Sequence, residues 1–533
     1  MDMNTPPLNP ALVAESKVQD PWAGQNKYGL AMNYYMLVVL GLAMLYAYLP
    51  TPGSSRGVAL LRRTTYPVLG KNIPSLGFGV IVAAAFIFTL VWTFVVHPYY
   101  RPLRAYGSPP LALRAGFFAT ALVPWIYALA SKGNIITYLT RISHEKLNVL
   151  HRWTARLCLV LSVVHTLPFF IQAMHEGNVH STFYTGIVNI SGVLALAALA
   201  WLTLASFLPL RNRFYQFFVV SHIIAAISFL AFMFWHCANI NNSWNYLYPA
   251  VAVWVAGMIL RLAQSSLLSG KEQAMVSVGA ENVIRVSIQT EQTWTPGQHM
   301  FLRIPGVGRL SIFENHPFSI ASIPEADSTL LNRMEFCVKS REGFTSRLLR
   351  AAQAKDGSVF SCHVEGPYGG VPRKVQEFDH VILVAGGSGI TATLPHLLDA
   401  VRRQGNIKSI RFIWAFRTHA AVTWFNGELL SALAAAKETG LQCEFLFYQT
   451  KEALEEVKRE DKSSVEGFDI QAYRPDLPQL LKSWMLDMHG RTCVIVSGPG
   501  GLERDVANAS ARLNALVGRR IKEVYLHTET FGW

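Results

Sequence analysis

The sequence predicts a multi-domain protein: an α-helical transmembrane bundle of about seven helices, then a soluble half with an antiparallel β-barrel and an α/β nucleotide-binding domain. Three observations carry this. Apolar runs of spanning length recur near 31–49, 78–97, 112–131, 148–174, 187–208, 214–238 and 246–264 and then stop. The chain is 51% hydrophobic and only 15% charged, which is high for a wholly soluble protein. Beyond residue 270 the runs give way to short β-rich stretches and then to a strand, a glycine-rich turn, a helix and a strand.

Residues 1–30 are polar, with Pro6, Pro7, Pro10 and Pro21, and lack a charged-then-apolar leader pattern, so a flexible tail is expected. Residues 31–268 form the membrane region. Lys and Arg are retained on the cytoplasmic side of short loops. Arg56, Arg62, Arg63 and Lys71 in the first loop, Lys132, Arg141 and Lys146 in the third, and Arg211 and Arg213 in the fifth therefore face inward. Loops 175–186 and 239–245 carry neither residue, although Arg101 and Arg104 weaken the contrast. This puts the N-terminus outside and the C-terminal half in the cytosol.

His151 and His165 stand 14 apart (165 − 151), and so do His222 and His236 (236 − 222). Fourteen helical steps advance a side chain ~21 Å and return it to nearly the same face. One apolar segment separates the two helices, so they run parallel and His151 faces His222 while His165 faces His236. Paired imidazoles on either side of a flat macrocycle hold b-type haem iron without an open position. Two b-type haems at two depths are expected, the second pair holding the outer one. Arg114, Arg152 and Arg156 interrupt the runs, and an intramembrane charge needs a partner; haem propionates would supply it.

Residues 271–375 contain VIRVSIQ, MFLRIPG and MEFCVKS and are expected to form the small barrel. From 376 to 533 the strand VILVAGG, the helix SGITATLPHLLDAV and the strand IRFIWAF make a β-α-β unit. Gly386, Gly387 and Gly389 sit at its turn, where backbone N–H groups and a helix N-terminus can approach a pyrophosphate. Arg417 follows the next strand where an acidic residue would bind a ribose hydroxyl, and a cation there suits the 2′-phosphate of NADPH. The net charge of +13 is spread over loops and the soluble half rather than interleaved with aromatics in a stripe, so membrane lipid and a phosphate-bearing cofactor, not nucleic acid, are the expected partners. The six cysteines form no C-x-x-C pair, and four lie in the cytosolic half, so neither disulfides nor zinc are expected.

HPFSIAS (316–322), EGPYGG (365–370), GGSGIT (386–391), LNVLHRW around His151, the paired histidines and the aromatic C-terminus together closely resemble fungal ferric reductases, of the superfamily that also holds the NADPH oxidases. The resemblance covers about residues 77–533. It implies a flavin module of the ferredoxin–NADP reductase type: an FAD-binding barrel and a Rossmann-like NADPH domain. It further implies that Phe318 packs on the isoalloxazine, Ser319 bonds its reacting nitrogen, and His316, beside Pro317, helps hold the FAD phosphates. Gly343 and Thr345 would lie against the pyrophosphate, and Trp533 would cover the flavin. Near the nicotinamide the family's Cys-Gly-Pro is replaced here by Ser497, Gly498 and Pro499.

The activity so implied is an NADPH-dependent metalloreductase passing electrons through FAD and two haems to extracytoplasmic ferric or cupric ions or chelates, in support of iron and copper uptake. The resemblance also implies a plasma-membrane location, or a vacuolar or other endomembrane one, and association with an iron permease or oxidase. The alternative is an NADPH oxidase making superoxide; equal spacing in both histidine pairs fits the reductases better. His175, Glu176 and His180, in an outer loop, are the expected approach site for the metal.

Overall fold

The computed structural model describes residues 24–48, 56–68, 75–101, 107–207, 213–266, 271–308, 314–325, 331–354, 357–450, 468–518 and 521–529, with 9–11, 14, 211, 311 and 312. The chain divides into two compact units, one of residues 1–49 and 78–260, the other of 50–77 and 261–533.

The first unit is helical. Its helices are α1 (Asn26–Tyr48), α3 (Leu76–Phe94), α4 (Pro110–Ala130), α5 (His144–His175), α6 (Ile187–Leu204), α7 (Tyr215–Cys237) and α8 (Trp244–Ser266), with α2 (Arg56–Thr65) in the loop after α1. Those seven are long and apolar enough to cross a membrane, as the sequence predicted. Many of their large apolar side chains point outward, with Leu42 61%, Ile87 63% and Ile224 60% exposed, as lipid-facing surfaces require. The core is built around α4, where Phe118, Leu122 and Val123 are buried, together with Leu161 of α5 and Leu247 of α8. Most of the expected polar tail lies outside the described residues, but its last residues are helical: α1 starts at Asn26, and Tyr28 and Met32 are buried in the bundle core.

The second unit holds two sheets. Strands β1 (Lys271–Val278), β2 (Val283–Thr290), β3 (Gln298–Arg303), β4 (His316–Ser319), β5 (Asn332–Lys339) and β6 (Ser358–Gly369) pair in the order β4-β3-β6-β1-β2-β5. All these pairings are antiparallel. Across the remaining gap the Ala321 N–H donates to Glu335 O at 2.7 Å, so the barrel is nearly closed. Helix α9 (Phe344–Ala354) plugs it with Phe344 and Leu348.

The second sheet is parallel: β7 (His380–Gly386), β8 (Ser409–Phe416), β9 (Gln442–Gln449), β10 (Ile470–Gln471), β11 (Arg491–Ser497) and β12 (Glu523–Glu529), in the order β10-β9-β8-β7-β11-β12. Its helices are α10 (Ile390–Arg403), α11 (Asn426–Glu438), α12 (Leu477–Asp487) and α13 (Gly500–Leu513). The order runs outward from β7 in both directions, so the topological switch lies between β7 and β11, where doubly wound sheets bind their ligands.

Helix α2 belongs to this second unit. Ala59 enters the core formed by Val494, Val506 and Leu513, and the buried Arg62 donates to Glu523 Oε1 at 2.8 Å and to Val524 O at 3.2 Å. Leu60 and Leu61, on the opposite face, remain exposed. The loop between the first two spanning helices is thus folded onto the nucleotide-binding half.

Candidate functional site

The four histidines meet as two pairs. Ring centres of His151 and His222 lie 6.4 Å apart, and those of His165 and His236 5.9 Å. A metal–imidazole bond of about 2 Å on each side, plus about 1 Å from nitrogen to ring centre, places two axial rings about 6 Å apart. Each pair therefore fits one ion between its members.

The hydrogen bonds also select the atom left for the metal. His165 Nδ1 lies 2.8 Å from Ala112 O, His151 Nδ1 3.0 Å from Ile126 O, and His236 Nδ1 2.8 Å from Val188 O. A carbonyl can only accept, so each Nδ1 carries the proton and each Nε2 keeps its lone pair free. Among the described residues His222 Nδ1 has no such partner. Glycines make the close approach possible: a Cβ on Gly116 would stand 2.7 Å from His165 Nδ1, and one on Gly192 would stand 2.6 Å from His236 Nδ1.

Arg114 has acceptors within the protein. Its guanidinium is buried and donates to Thr93 O at 3.1 Å, Val96 O at 2.7 Å and Pro98 O at 3.4 Å. The carbonyls at and beyond the end of α3 have no intrahelical donors, so they give the buried guanidinium partners within the protein. Arg156 lies over the Trp153 ring, 4.5 Å from its centre. In the loop after α5 the expected metal-approach residues have neighbours of their own. Glu176 accepts from Asn178 Nδ2 at 3.0 Å, and His180 stacks on Tyr184. Among the described residues no three His, Cys, Asp or Glu side chains gather to hold a metal ion.

In the barrel, β4 and the start of α9 come together through Phe344. Its ring stacks on His316 at 4.5 Å and lies 6.4 Å from that of Phe318. Ser319 is buried, while Pro317 and Phe318 are half-buried. Gly343 has φ +76° with open space where a Cβ would be, and Thr345 Oγ1 accepts from the Arg341 N–H at 2.8 Å, shaping the turn into α9. Sequence reading missed the group behind this face. Glu365 of EGPYGG is buried and accepts from Arg261 at 2.9 and 3.0 Å, from Asn315 Nδ2 at 2.8 Å and from Tyr368 Oη at 3.1 Å. These bonds fix the residue before His316 to the EGPYGG turn.

At the switch point, the ends of β7 and β11 touch backbone to backbone. A Cβ on Gly386 would meet Pro499 Cδ at 2.6 Å, one on Gly498 would meet Gly386 Cα at 2.9 Å, and one on Gly389 would meet Ser497 O at 2.2 Å. Gly387, at φ +55°, faces open space, and its carbonyl accepts from Trp414 Nε1 at 3.0 Å. An open glycine turn leading into α10 suits a pyrophosphate. Ser497 Oγ is buried without a hydrogen-bond partner among the described residues, as a group awaiting a polar ligand would be. Arg417 is exposed directly after β8, the strand next to β7. Trp533 lies outside the described residues.

Two further buried groups have no signature in the sequence. His396 of α10 packs against Gly297; burial holds its pKa down to about 3, with His527 adding to the effect. Glu523 is enclosed by Arg62, Arg373 and Arg491. Burial raises its pKa, but the bonds and charges of Arg373 and Arg62 outweigh that and keep it below its ordinary value.

The family profile described as "Ferric reductase like transmembrane component" matches residues 115–233. "FAD-binding domain" matches 268–372, and "Ferric reductase NAD binding domain" matches 378–511. Ferric/cupric reductase transmembrane component 7 of Saccharomyces cerevisiae is 30% identical over 607 residues, covering 98% of this chain and 96% of that protein. Probable cell surface ferric reductase kap2 of Aspergillus oryzae is 38% identical over 397 residues, 70% of this chain, which spans about half (52%) of that protein's length. A ferredoxin NADP+ reductase from Neisseria gonorrhoeae, solved with bound FAD and NADP, is 17% identical at a TM-score of 0.35, over 49% of this chain and 98% of that one.

Proposed function

This chain belongs to the ferric reductase family, and we propose that it is a multi-pass membrane reductase carrying electrons from NADPH across the bilayer to ferric or cupric ions. The observation that carries the proposal is the two histidine pairs at matched depth, each with ring centres about 6 Å apart. His151 with His222 would hold an inner b-type haem, and His165 with His236 an outer one. When bound, FAD couples the two-electron nicotinamide to the one-electron haem irons. The residues perform the positioning.

Ser319, on β4, would donate to the reacting flavin nitrogen, and Phe318 and Pro317 would line the ring. His316 would help hold the FAD phosphates, with Gly343 and Thr345 beside the pyrophosphate at the start of α9. Gly386, Gly387 and Gly389 would receive the NADPH pyrophosphate, with Arg417 on its 2′-phosphate. Gly498 and Pro499 would keep β11's end against β7, so that the free hydroxyl of Ser497 orients the nicotinamide in place of the family thiol. Trp533 would cover the flavin until nicotinamide displaces it.

The docking of α2 in the nucleotide-binding unit supports the topology in which the first loop and the C-terminal half share the cytosolic side and the N-terminus is outside. A cell-surface site of action accords with the name of the Aspergillus oryzae relative. Association with an iron permease or oxidase is part of the same proposal. Superoxide production is not favoured, since the Saccharomyces cerevisiae and Aspergillus oryzae relatives are both named for metal ions.

An absorption spectrum of the purified protein tests the cofactor set, with flavin and two low-spin haems expected. His165→Ala and His236→Ala should each lose one haem and stop reduction of external ferric chelate while NADPH-driven reduction of a soluble dye continues. Undiminished ferric reduction in both variants would overturn the proposal.

A further inference from the structure

The two acceptor carbonyls of the outer pair share a feature that the inner pair lacks. Ala112, which accepts from His165, lies four residues before Gly116, and Val188, which accepts from His236, lies four residues before Gly192. In a helix the carbonyl of residue i already accepts from the amide of i+4 and has one lone pair left. A side chain at i+4 lies back over the preceding turn and screens that lone pair. Glycine at i+4 removes the screen. The same arrangement occurs on α4 for a histidine of α5 and on α6 for a histidine of α7, so it appears twice, on unrelated sequence.

The inner pair is built otherwise. His151 bonds Ile126 O at the longer 3.0 Å with Ala130 four residues on, and among the described residues His222 Nδ1 has no partner. The space at the glycines is decisive: a Cβ would come within 2.7 Å of the His165 ring and 2.6 Å of the His236 ring, closer than carbon packs. Neither ring could keep its bond if a methyl group were added.

Resting on the haem assignment above, we propose that Gly116 and Gly192 are positioning residues for the outer haem, opening two helix carbonyls that anchor both of its axial imidazoles through Nδ1. An imidazole whose Nδ1–H is bonded to a carbonyl is a more basic ligand and favours ferric over ferrous iron. The outer haem has two such ligands and the inner haem one.

The test is a redox titration of the purified full-length protein, followed at the haem bands and by electron paramagnetic resonance of the ferric state. The wave lost in His236→Ala identifies the outer haem. Gly116→Ala and Gly192→Ala should each weaken the ferric preference of that haem about tenfold, an upward shift of about 59 mV for one electron, and alter its low-spin signal alone. Loss of the outer haem with the inner wave retained would also support the proposal. Gly29→Ala is the control, because its added carbon would press on Tyr246 at 2.5 Å and touches no histidine. Outer waves unmoved in both variants, or moved equally by Gly29→Ala, would overturn it. If neither variant can be isolated, double resonance on the native protein decides. Two hydrogen-bonded Nδ1 protons at the outer haem against one at the inner support the proposal; equal patterns refute it. A native protein without low-spin haem would instead refute the underlying assignment.

Discussion

Replacing Arg62 should release the loop after α1 from the core of the nucleotide-binding unit. Arg62 is 3% exposed and Glu523 1%, and they are joined at 2.8 Å, with a second bond to Val524 O at 3.2 Å and the Tyr525 ring 5.6 Å away. Breaking a buried ion pair costs about 3–5 kcal/mol when one charge is left alone. Glu523 keeps Arg373 and, at 3.2 Å, Arg491, so Arg62→Met should cost less, about 2–3 kcal/mol, while retaining the apolar stem. At about 1.4 kcal/mol per tenfold, hydrogen exchange of the α2 amides should accelerate roughly 30- to 150-fold in the full-length protein. Arg63→Ala, one residue on and exposed, should leave exchange unchanged. The sign of the pH dependence follows from Glu523. Its pKa is lowered on folding, so its contribution is complete above the unfolded value of about 4.3 and is lost as pH falls through the lower folded value. Unchanged α2 exchange in Arg62→Met, or loosening as pH rises from 5 to 8, would refute the reasoning.

Arg417→Ala should weaken NADPH about ten- to a hundredfold and leave NADH nearly unchanged, through loss of one charge-assisted contact; equal losses in the two Kd values would remove Arg417 from the 2′-phosphate. Because burial holds the His396 pKa down to about 3, folding opposes its protonation, so stability should fall by up to about 1.4 kcal/mol per unit as pH drops below ~6.5. His396→Gln should flatten that part of the denaturation profile, and an unchanged slope would count against it. Deleting Trp533 should tighten NADP+ binding, because no stacked ring has to be displaced, whereas looser binding would exclude it as a cover.

Legibility from sequence followed the range of each interaction. The seven spans repeat an apolar pattern over about 20 residues, and the histidine spacing is a helix period, so both could be read locally. The glycine turn between β7 and α10 was legible for the same reason. Partners were not. The sequence marked Arg114 as needing a partner but did not show the carbonyls after α3 that accept from it, and only packing of α4 against that segment brings them together. The loop after α5 read as metal ligands by composition, but among the described residues no three such ligands gather there.

By itself the sequence determined which segments enter the membrane, that two histidine pairs stand at two depths, and that a barrel precedes a nucleotide-binding sheet. These properties are written in periods of two to fourteen residues. Only the tertiary structure decided which carbonyls anchor the imidazoles, across 25, 48 and 53 residues, and that Arg62 closes on Glu523 across 461. It also placed Gly386 against Gly498 at the sheet's switch point. Such contacts leave no periodic trace, because a glycine that admits a ring from another helix looks in sequence like any other glycine, and a buried arginine looks like any other loop cation.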